Sequence, residues 1–409
     1  MKKKFICGLD IGTFKTCATC GTVDAFGKID ILATETVRTL GVQRGKVIDN
    51  RQLTASVREA FEKLRKNHHI RVRRIYVNID SPDLKTKLCE QSLKFREKTR
   101  LNKSHIFRLV DSCLSSQASL NRKVIHTGSR IFRLDNQTDC LDPEGRFAYE
   151  AKLSLAVVTV LIPTIKNFTK CIKAAGLRLE EVVPSGSAQA LGLFRDINRA
   201  TSKFNILIDV GSQLTKLYLL RDRLLKDSKF VLSGSQAISE DIAQKLQVSF
   251  DCAEQLKTKY GRTHYENGSV GQKIIIKDGL TNRVVQLPQL NEIIGVGADS
   301  LLQQITRALQ ELNYAQEELD EIVVTGGGSI LEGFLERADR VLGRPVKMGF
   351  LSSVRDNHIQ THSAIYATSI GLIHLGSQNR PRLSSFTRLK FAPLMRAFNW
   401  ARDLYHEYF

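Results

Sequence analysis

Long apolar segments are missing from this sequence. A transmembrane helix needs about 18 or more apolar residues, and the longest candidate, Leu153–Pro163, is far shorter. The apolar run after the N-terminal lysines is interrupted by Gly8 and Asp10, which excludes the core of a signal peptide. From these absences we expect a cytoplasmic chain without a membrane-spanning helix.

The eight cysteines are scattered, and only Cys17 and Cys20 are suggestively spaced. On a strand these two side chains point to opposite faces, with Cα atoms about 10 Å apart. That separation exceeds the limit of about 7 Å for a disulfide. We therefore expect packed, reduced thiols, as in a cytoplasmic protein.

Acidic residues are scarce relative to basic ones, and the formal net charge is +19. Such an excess favours a polyanionic partner, either nucleic acid or an anionic membrane surface. No recognised nucleic-acid reader motif is present, so we expect no nucleic-acid partner. Hydrophobic residues make up 42% of the 409 positions, which indicates a globular chain of two to four domains at roughly 150 residues each.

Two matching segments begin at Phe5 and Phe204, each an apolar strand that runs into an Asp-x-Gly turn and a second strand. Glycine lets backbone amides approach a ligand, and amides exposed in such a turn form a nest for phosphate oxygens. Duplicated halves can face each other across a cleft, so Asp10 and Asp209 are predicted to point at one phosphate-bound Mg²⁺, through water because Mg²⁺ dehydrates reluctantly. The predicted phosphate-binding residues are Gly12, Thr13, Phe14, Lys15, Gly211 and Ser212.

Two further segments are candidates for contact with a nucleoside. A buried-type strand ends in three glycines and precedes a helical pattern, whose start favours anions; a flexible turn is the alternative. An acid and a base three residues apart share one helical face and form either a surface ion pair or contacts to ribose and base. The residues concerned are Gly326, Gly327, Gly328, Ser329, Glu254 and Lys257.

The order of these segments resembles the actin-like ATPase superfamily and, within it, the FtsA family of bacterial cell division proteins. The likeness extends over nearly the whole chain, in the segments 8–15, 44–49, 174–177, 207–211, 253–261, 324–329 and 366–371. It implies an α/β fold of two ribonuclease-H-like halves around a nucleotide cleft, with ATP and Mg²⁺ as cofactors. Each half would carry a smaller insertion.

The second phosphate loop departs from the family pattern. FtsA relatives usually read Asp-Ile-Gly-Gly-Gly-Thr-Thr-Asp, whereas this chain has Ser212 and Gln213 in place of two glycines and Lys216 in place of the final acid. Val183 also stands where relatives commonly have Glu before proline. We therefore expect nucleotide binding with at most weak ATPase activity, and no catalytic residue is assigned.

The resemblance divides the chain as follows: a first half at 1–83 plus 161–200, an inserted subdomain at 84–160, a second half at 201–232 plus 297–375, a smaller inserted domain at 233–296, a linker at 376–387 and a terminal helix at 388–409. The first insertion is strongly basic, with a net charge of +9 over residues 84–133. A helix at 104–120 and strands at 124–134 and 152–161 are expected in it. Two interpretations of this basic insertion remain open: a surface that contacts other proteins, or a basic face exposed to solvent.

The tail combines a linker-like segment with an amphipathic helical pattern, preceded by basic residues that suit anionic headgroups. Docking of this helix on the protein's own core or on a partner is the alternative. Membrane binding is favoured because FtsA proteins, which this chain resembles, end in a linker and an amphipathic membrane helix. The residues predicted to meet the membrane are Phe391, Leu394, Met395, Phe398, Arg402, Tyr405 and Phe409.

The resemblance implies a peripheral protein on the cytoplasmic side of the membrane, at the division site. It would polymerise, tether FtsZ filaments and recruit later division proteins. The alternatives are a PilM-like scaffold for pilus or secretion assembly and a sugar-kinase-type phosphotransferase, the latter needing a carboxylate base beside a substrate hydroxyl.

Overall fold

A computed structural model describes residues 5–24, 26–117, 119–135, 139–194, 203–264, 272–312 and 314–378. The predicted terminal helix at 388–409 lies outside the described residues, together with the seven residues predicted to meet the membrane. The strands and helices below refer to this described part.

The strands are β1 (Ile6–Ile11), β2 (Lys15–Val23), β3 (Ile29–Arg38), β4 (Val42–Gln43), β5 (Lys46–Val47), β6 (Arg74–Ile79), β7 (Lys85–Arg100), β8 (Arg122–Leu134), β9 (Asp139–Cys140), β10 (Phe147–Leu161), β11 (Arg178–Pro184), β12 (Phe204–Val210), β13 (Thr215–Arg221), β14 (Leu224–Val231), β15 (Lys273–Asp278), β16 (Thr281–Gln286), β17 (Leu319–Thr325) and β18 (Val346–Met348).

The α-helices are α1 (Asn50–His68), α2 (Lys103–Gln117), α3 (Ile162–Ala174), α4 (Ser185–Leu193), α5 (Ser235–Leu246), α6 (Phe250–Tyr260), α7 (Leu287–Gln310), α8 (Phe334–Leu342), α9 (Asn357–Thr361) and α10 (Ser363–Gln378). None of the helices in the described ranges combines the length and apolarity needed to cross a membrane.

Two five-stranded sheets repeat one topology, as the paired motifs predict. The first has the order β3-β2-β1-β6-β11 and the second β14-β13-β12-β17-β18. In each sheet the first three strands are antiparallel neighbours, and the last two run parallel to the central strand. Nearly every residue of β1 and β12 is buried, as expected for central strands covered on both faces.

The helix α1 shows why the segment after β5 leaves the sheet. The Asp49 carboxylate accepts hydrogen bonds from two backbone amides of the first turn, which is a stabilising N-cap. Leu53, Val57, Ala60 and Leu64 form a buried stripe at helical spacing. This stripe packs toward β2 and β3 and covers one face of the first sheet.

The basic insertion forms its own sheet, with the order β7-β10-β8-β9. The predicted helix and both predicted strands are confirmed, with small shifts at their ends. Leu109, Phe132 and Leu153 belong to a separate apolar core beneath α2. The insertion also contacts the second half, because the Thr86 and Ser228 hydroxyls are 2.8 Å apart.

The helix α10 follows the second sheet in sequence but packs on the first. It contacts α4, β1, β2 and β6, and a Cβ atom on Gly8 would lie 2.5 Å from the Ser369 carbonyl oxygen. The predicted second half, which runs to residue 375, therefore includes a helix that belongs by packing to the first sheet. Small residues at this contact let the helix approach the strands closely.

Candidate functional site

A cleft of about 790 Å³ lies between the two sheets, where the β1–β2 and β12–β13 turns face each other. The backbone amide of Gln213 donates to the Thr13 hydroxyl over 3.3 Å. The Gln213 side-chain oxygen accepts from the Arg44 amide at 2.9 Å. The two Asp-x-Gly turns therefore meet directly, and the expected shared crevice is present.

The structure gathers most of the predicted nucleotide-binding residues on the wall of this cleft. Both predicted metal-binding aspartates also line it. The predicted residues found there are Asp10, Gly12, Thr13, Phe14, Lys15, Asp209, Gly211, Ser212, Glu254, Lys257, Gly326, Gly327 and Gly328.

Ser329 is the exception, since it does not line the cleft. Its side chain is buried, and its hydroxyl donates to the Gly326 carbonyl over 2.7 Å. The segment Gly327–Ile330 is one turn of 3₁₀ helix, and this turn directs Ser329 inward. A structural role in the turn thus replaces the predicted nucleotide contact.

Gly326 shows why the sequence has glycine at this point. Its φ of 90° lies in the region that favours glycine, and an added Cβ would be 2.4 Å from Asp209 Oδ1. By contrast, a Cβ on Gly327 would meet nothing within 4 Å. The backbone therefore passes close to Asp209 at Gly326 and opens into the cleft at the next residue.

A buried cluster of charges forms the floor of the cleft. The Lys216 ammonium lies 2.7 Å from Asp209 Oδ2 and 2.9 Å from Asp80 Oδ2. Asp80 also accepts hydrogen bonds from the Tyr218 hydroxyl at 3.0 Å and the Ser185 hydroxyl at 2.5 Å. The Lys216 and Asp80 side chains are only 12% and 7% exposed, so water screens this network weakly.

Local strand geometry brings these groups together. Lys216 is the cross-strand partner of Asp209 in the β12–β13 hairpin. Tyr218, two residues further along β13, points to the same face, and Asp80 directly follows β6 of the first sheet. The cluster thus links the β12–β13 hairpin of the second sheet to the end of β6 in the first sheet.

The charges in the cluster stabilise one another. Burial alone would raise the pKa of Asp80, but Lys216 and Ser185 outweigh it and hold that pKa below its ordinary value. Burial likewise opposes the charge on Lys216, yet Asp209 and Asp80 raise the pKa of Lys216 above its ordinary value. Lys216 and Asp80 are therefore both ionised at neutral pH.

Asp10 has a different environment. Its Oδ1 accepts a hydrogen bond from the Asn78 side chain at 2.9 Å. Burial raises the pKa of Asp10 to about 6, while Lys15 and Lys216 oppose the rise. Lys15 itself donates to the Ile365 carbonyl over 2.8 Å, which ties the start of β2 to the first turn of α10.

These residues do not fit a magnesium ion held between Asp10 and Asp209. Mg²⁺ requires an octahedral set of oxygen ligands, whereas Asp209 Oδ2 already binds the Lys216 ammonium and the Gln189 amide. Across the described residues, no group of three or more His, Cys, Asp or Glu is arranged to hold a metal. The physical reason is Lys216, whose ammonium lies between the carboxylates of Asp209 and Asp80 and occupies Asp209 Oδ2.

The second candidate pair, Glu254 and Lys257 of α6, also lines the cleft. The Lys257 ammonium is 2.8 Å from Glu254 Oε2 and donates to the Ser239 hydroxyl over 2.7 Å. Burial lowers the pKa of Lys257, and Glu254 partly compensates. The expected ion pair is present, but the Lys257 side chain is only 6% exposed, so the pair lies on the cleft wall and not on the open surface.

Sequence reasoning missed two of the polar residues on the cleft floor, Asp80 and Gln189. The Gln189 amide donates to Asp209 Oδ2 at 2.7 Å and to the Thr368 hydroxyl at 2.9 Å, and its Oε1 has no partner within the described ranges. An acidic residue directly after the parallel strand β6 was the available signal for Asp80. Gln189 gives no such signal, because its short helix of mostly small residues has no polar stripe that would single it out.

Comparisons with known proteins agree with the sequence resemblance. The family described as "Cell division protein FtsA" matches residues 206–371. Proteins named Cell division protein FtsA are similar along most of the chain. The one from Pseudomonas aeruginosa is 24% identical and covers 92% of this chain and 90% of its own length. The one from Enterococcus faecalis is 23% identical and covers 91% and 83%.

Solved structures confirm the predicted fold class. A PilM–PilN type IV pilus biogenesis complex matches with a TM-score of 0.64 at 15% identity, covering 91% of this chain and 99% of that chain. MreB5 of Spiroplasma citri bound to ADP matches with a TM-score of 0.54 at 11% identity, covering 93% and 100%. At such identities these likenesses establish an actin-like fold and nothing more specific.

Proposed function

Because the chain is a homologue of the FtsA cell division proteins, we propose that it is an ATP-binding, actin-like adaptor of bacterial cell division. The observation that carries the proposal is the cleft in which the two Asp-x-Gly turns meet at Thr13 and Gln213. Backbone amides at such turns suit phosphate oxygens. The nucleotide would lie between the two halves and bias their relative position.

The predicted contacts divide along the cleft. Gly12, Thr13, Phe14 and Lys15 would hold the phosphates from the first half, with Gly211 and Ser212 opposite. The ribose and base would lie against the glycine segment 326–328 and the Glu254–Lys257 pair. This proposal names ATP alone, because the cluster around Lys216 does not suit the magnesium ion that the resemblance implies.

The second part of the proposal concerns the membrane and the partners. The chain would polymerise, bind FtsZ filaments and later division proteins, and attach them to the cytoplasmic side of the membrane through the tail at 388–409. By the resemblance, the FtsZ contact would lie in the smaller inserted domain at 233–296. This part of the proposal is supported by the similarity to FtsA proteins and by the amphipathic pattern of the tail.

Flotation with anionic liposomes tests the tether. The full-length chain is expected to float with the vesicles, whereas a chain lacking Arg388–Phe409 stays at the bottom. Phe398→Asp, on the apolar face, should weaken flotation strongly, and the matched variant Asn399→Asp, on the polar face, adds the same charge and should not. Equal flotation of all four proteins would contradict the tether.

Nucleotide dependence is measured in the same assay. ATP is expected to increase co-flotation of purified FtsZ filaments if the closed cleft favours the polymerising form. A chain that binds neither ATP nor vesicles would overturn the proposal as a whole. FtsZ that floats with the tail-deleted chain would contradict the adaptor role.

Two rival functions predict other outcomes. A PilM-like scaffold shares the fold and would lack an autonomous membrane helix, so its membrane association would survive removal of Arg388–Phe409. A sugar-kinase-type phosphotransferase would consume ATP in the presence of a small alcohol or sugar. At most weak ATP hydrolysis is expected here, so a strong substrate-dependent rate would favour the second rival.

A further inference from the structure

The cleft floor holds a permanent positive charge between the carboxylates of the two halves. The Lys216 ammonium contacts Asp209 at 2.7 Å and Asp80 at 2.9 Å, and it also lines the cleft. It is attached to the strand that pairs with Asp209, so its position is fixed by the hairpin itself. A diffusible metal ion has no such covalent anchor.

From this arrangement we propose that Lys216 is a built-in cation, and that the cleft binds a nucleoside triphosphate as the metal-free anion. The inference rests on the proposed nucleotide binding and specifies its ligand form. The phosphates would meet the Lys216 and Lys15 ammonium groups and the amides of the two turns. Charge-assisted contacts of this kind are the strong ones in phosphate recognition.

The hydrogen bonds around the cluster leave little room for a divalent ion. Asp80 accepts from Ser185, Tyr218 and Lys216, while Asp209 Oδ2 accepts from Lys216 and Gln189. A divalent ion bound to Asp80 or Asp209 would have to displace the Lys216 ammonium from these carboxylates. The ammonium would nevertheless stay close to the ion, because the β12–β13 hairpin holds it there. Repulsion between the two cations in a weakly screened site opposes this.

The sequence supports the same conclusion at a second place. Val183 is fully buried and packs with Ala188 and Leu372, at the position where FtsA relatives commonly have a glutamate. The chain thus has an apolar side chain on β11 and, at the cleft, a lysine on β13. Both replacements remove a carboxylate of the family pattern, and a site with fewer carboxylates nearby attracts a divalent cation less.

The decisive measurement uses the unaltered full-length chain. A fluorescent ATP analogue is titrated in buffer with Mg²⁺ and in buffer with EDTA, and the two dissociation constants are compared. We expect them to agree within about threefold, which is less than 1 kcal/mol. A loss of about tenfold or more in EDTA would overturn the inference while leaving nucleotide binding intact.

A third outcome separates the two proposals. If the analogue binds in neither buffer, nucleotide binding itself is refuted, and the inference falls with it. Binding that is tighter in EDTA supports the inference, because the metal then competes with Lys216 for the phosphates. Weaker binding in EDTA therefore refutes only the inference about Lys216, whereas an absence of binding in both buffers refutes both proposals.

Variants at Lys216 test the residue directly. Lys216→Gln should weaken binding in EDTA by about tenfold, whereas Lys216→Asp should make binding depend on Mg²⁺. The matched control is Lys347→Gln, an exposed lysine paired with Glu321 outside the cleft, and it should bind as the unaltered chain does. If the Lys216 variants do not fold, as judged by circular dichroism, the comparison of the two buffers still decides.

Discussion

The Gln213 backbone amide and the Thr13 hydroxyl are hydrogen-bonded over 3.3 Å across 200 residues of sequence. This bond joins the turn of one hairpin to the turn of the other at the mouth of the cleft. Gln213 also replaces a glycine of the family pattern, and its side chain contacts both the Arg44 amide and Gln236. This departure from the family pattern thus helps to join the two turns.

Thr13→Val removes the acceptor of this bond and one predicted phosphate contact. We expect affinity for ATP to fall about fivefold to tenfold, equivalent to about 1 kcal/mol, with little change in the unfolding midpoint. Isothermal titration calorimetry measures the first quantity. Thr169→Val is the control, because its hydroxyl bonds the Lys166 carbonyl on exposed α3. Unchanged affinity in Thr13→Val would argue against a phosphate role for that turn.

Neighbouring glycines in the glycine segment should respond differently to the same substitution. Gly326→Ala forces a methyl group within 2.4 Å of Asp209 at a φ of 90°, so we expect a loss of about 2 kcal/mol or more of folding stability. Gly327→Ala places its methyl group in open space and should unfold at nearly the same temperature. Thermal denaturation followed by circular dichroism compares the two. Similar melting temperatures would contradict the close approach at Gly326.

Tyr218→Phe isolates the support of the Asp80 carboxylate. The hydroxyl is buried and donates to Asp80 Oδ1 over 3.0 Å, and hydrogen bonds to charged groups contribute about 1.5–3 kcal/mol. Urea unfolding should show a loss in that range. The exposed Tyr149 on β10 provides the control, since Tyr149→Phe should change stability by no more than about 0.5 kcal/mol. No loss in Tyr218→Phe would mean that Lys216 and Ser185 alone hold Asp80.

The basic insertion should lose stability in mild acid through His126. Desolvation lowers the pKa of His126 from 6.5 to about 4. As pH falls from 6.5 toward 4, the unfolded chain therefore takes up a proton that the folded chain refuses, and the free energy of unfolding decreases by at most about 3 kcal/mol. Urea unfolding at several pH values measures this slope.

The control for this titration is a second histidine of the same insertion. His126→Gln should flatten the dependence between pH 6.5 and 4, while His105→Gln should leave it in place. If both variants retain the slope of the unaltered chain, other groups cause the acid sensitivity.

The fold was largely predictable because its signals are local. Each Asp-x-Gly turn, with its two flanking strands, can be recognised from a short stretch of sequence. Two copies of this pattern imply two similar sheets. The helix α1 was equally accessible, since Asp49 precedes an apolar stripe at helical spacing. Such features depend on neighbours in sequence, which a reader of the sequence can inspect directly.

The site was less predictable because its contacts join distant segments. Lys216 was recognised as a charge reversal, but its pairing with Asp80 spans 136 residues and requires the parallel pairing of β6 with β1. Ser329 failed for the opposite reason, since one turn of 3₁₀ helix rotated its hydroxyl back onto Gly326. The periodicity of apolar residues in the sequence reveals neither the Lys216–Asp80 contact nor the inward direction of Ser329.

The contact between the basic insertion and β14 has a mechanical consequence. The hydroxyls of Thr86 and Ser228 meet there, and a Cβ on Gly128 would lie only 1.9 Å from the Leu225 carbonyl oxygen. The insertion therefore braces the two halves against each other. If the cleft widens, the insertion must slide along β14 or separate from it. A load on this surface would therefore change the width of the cleft.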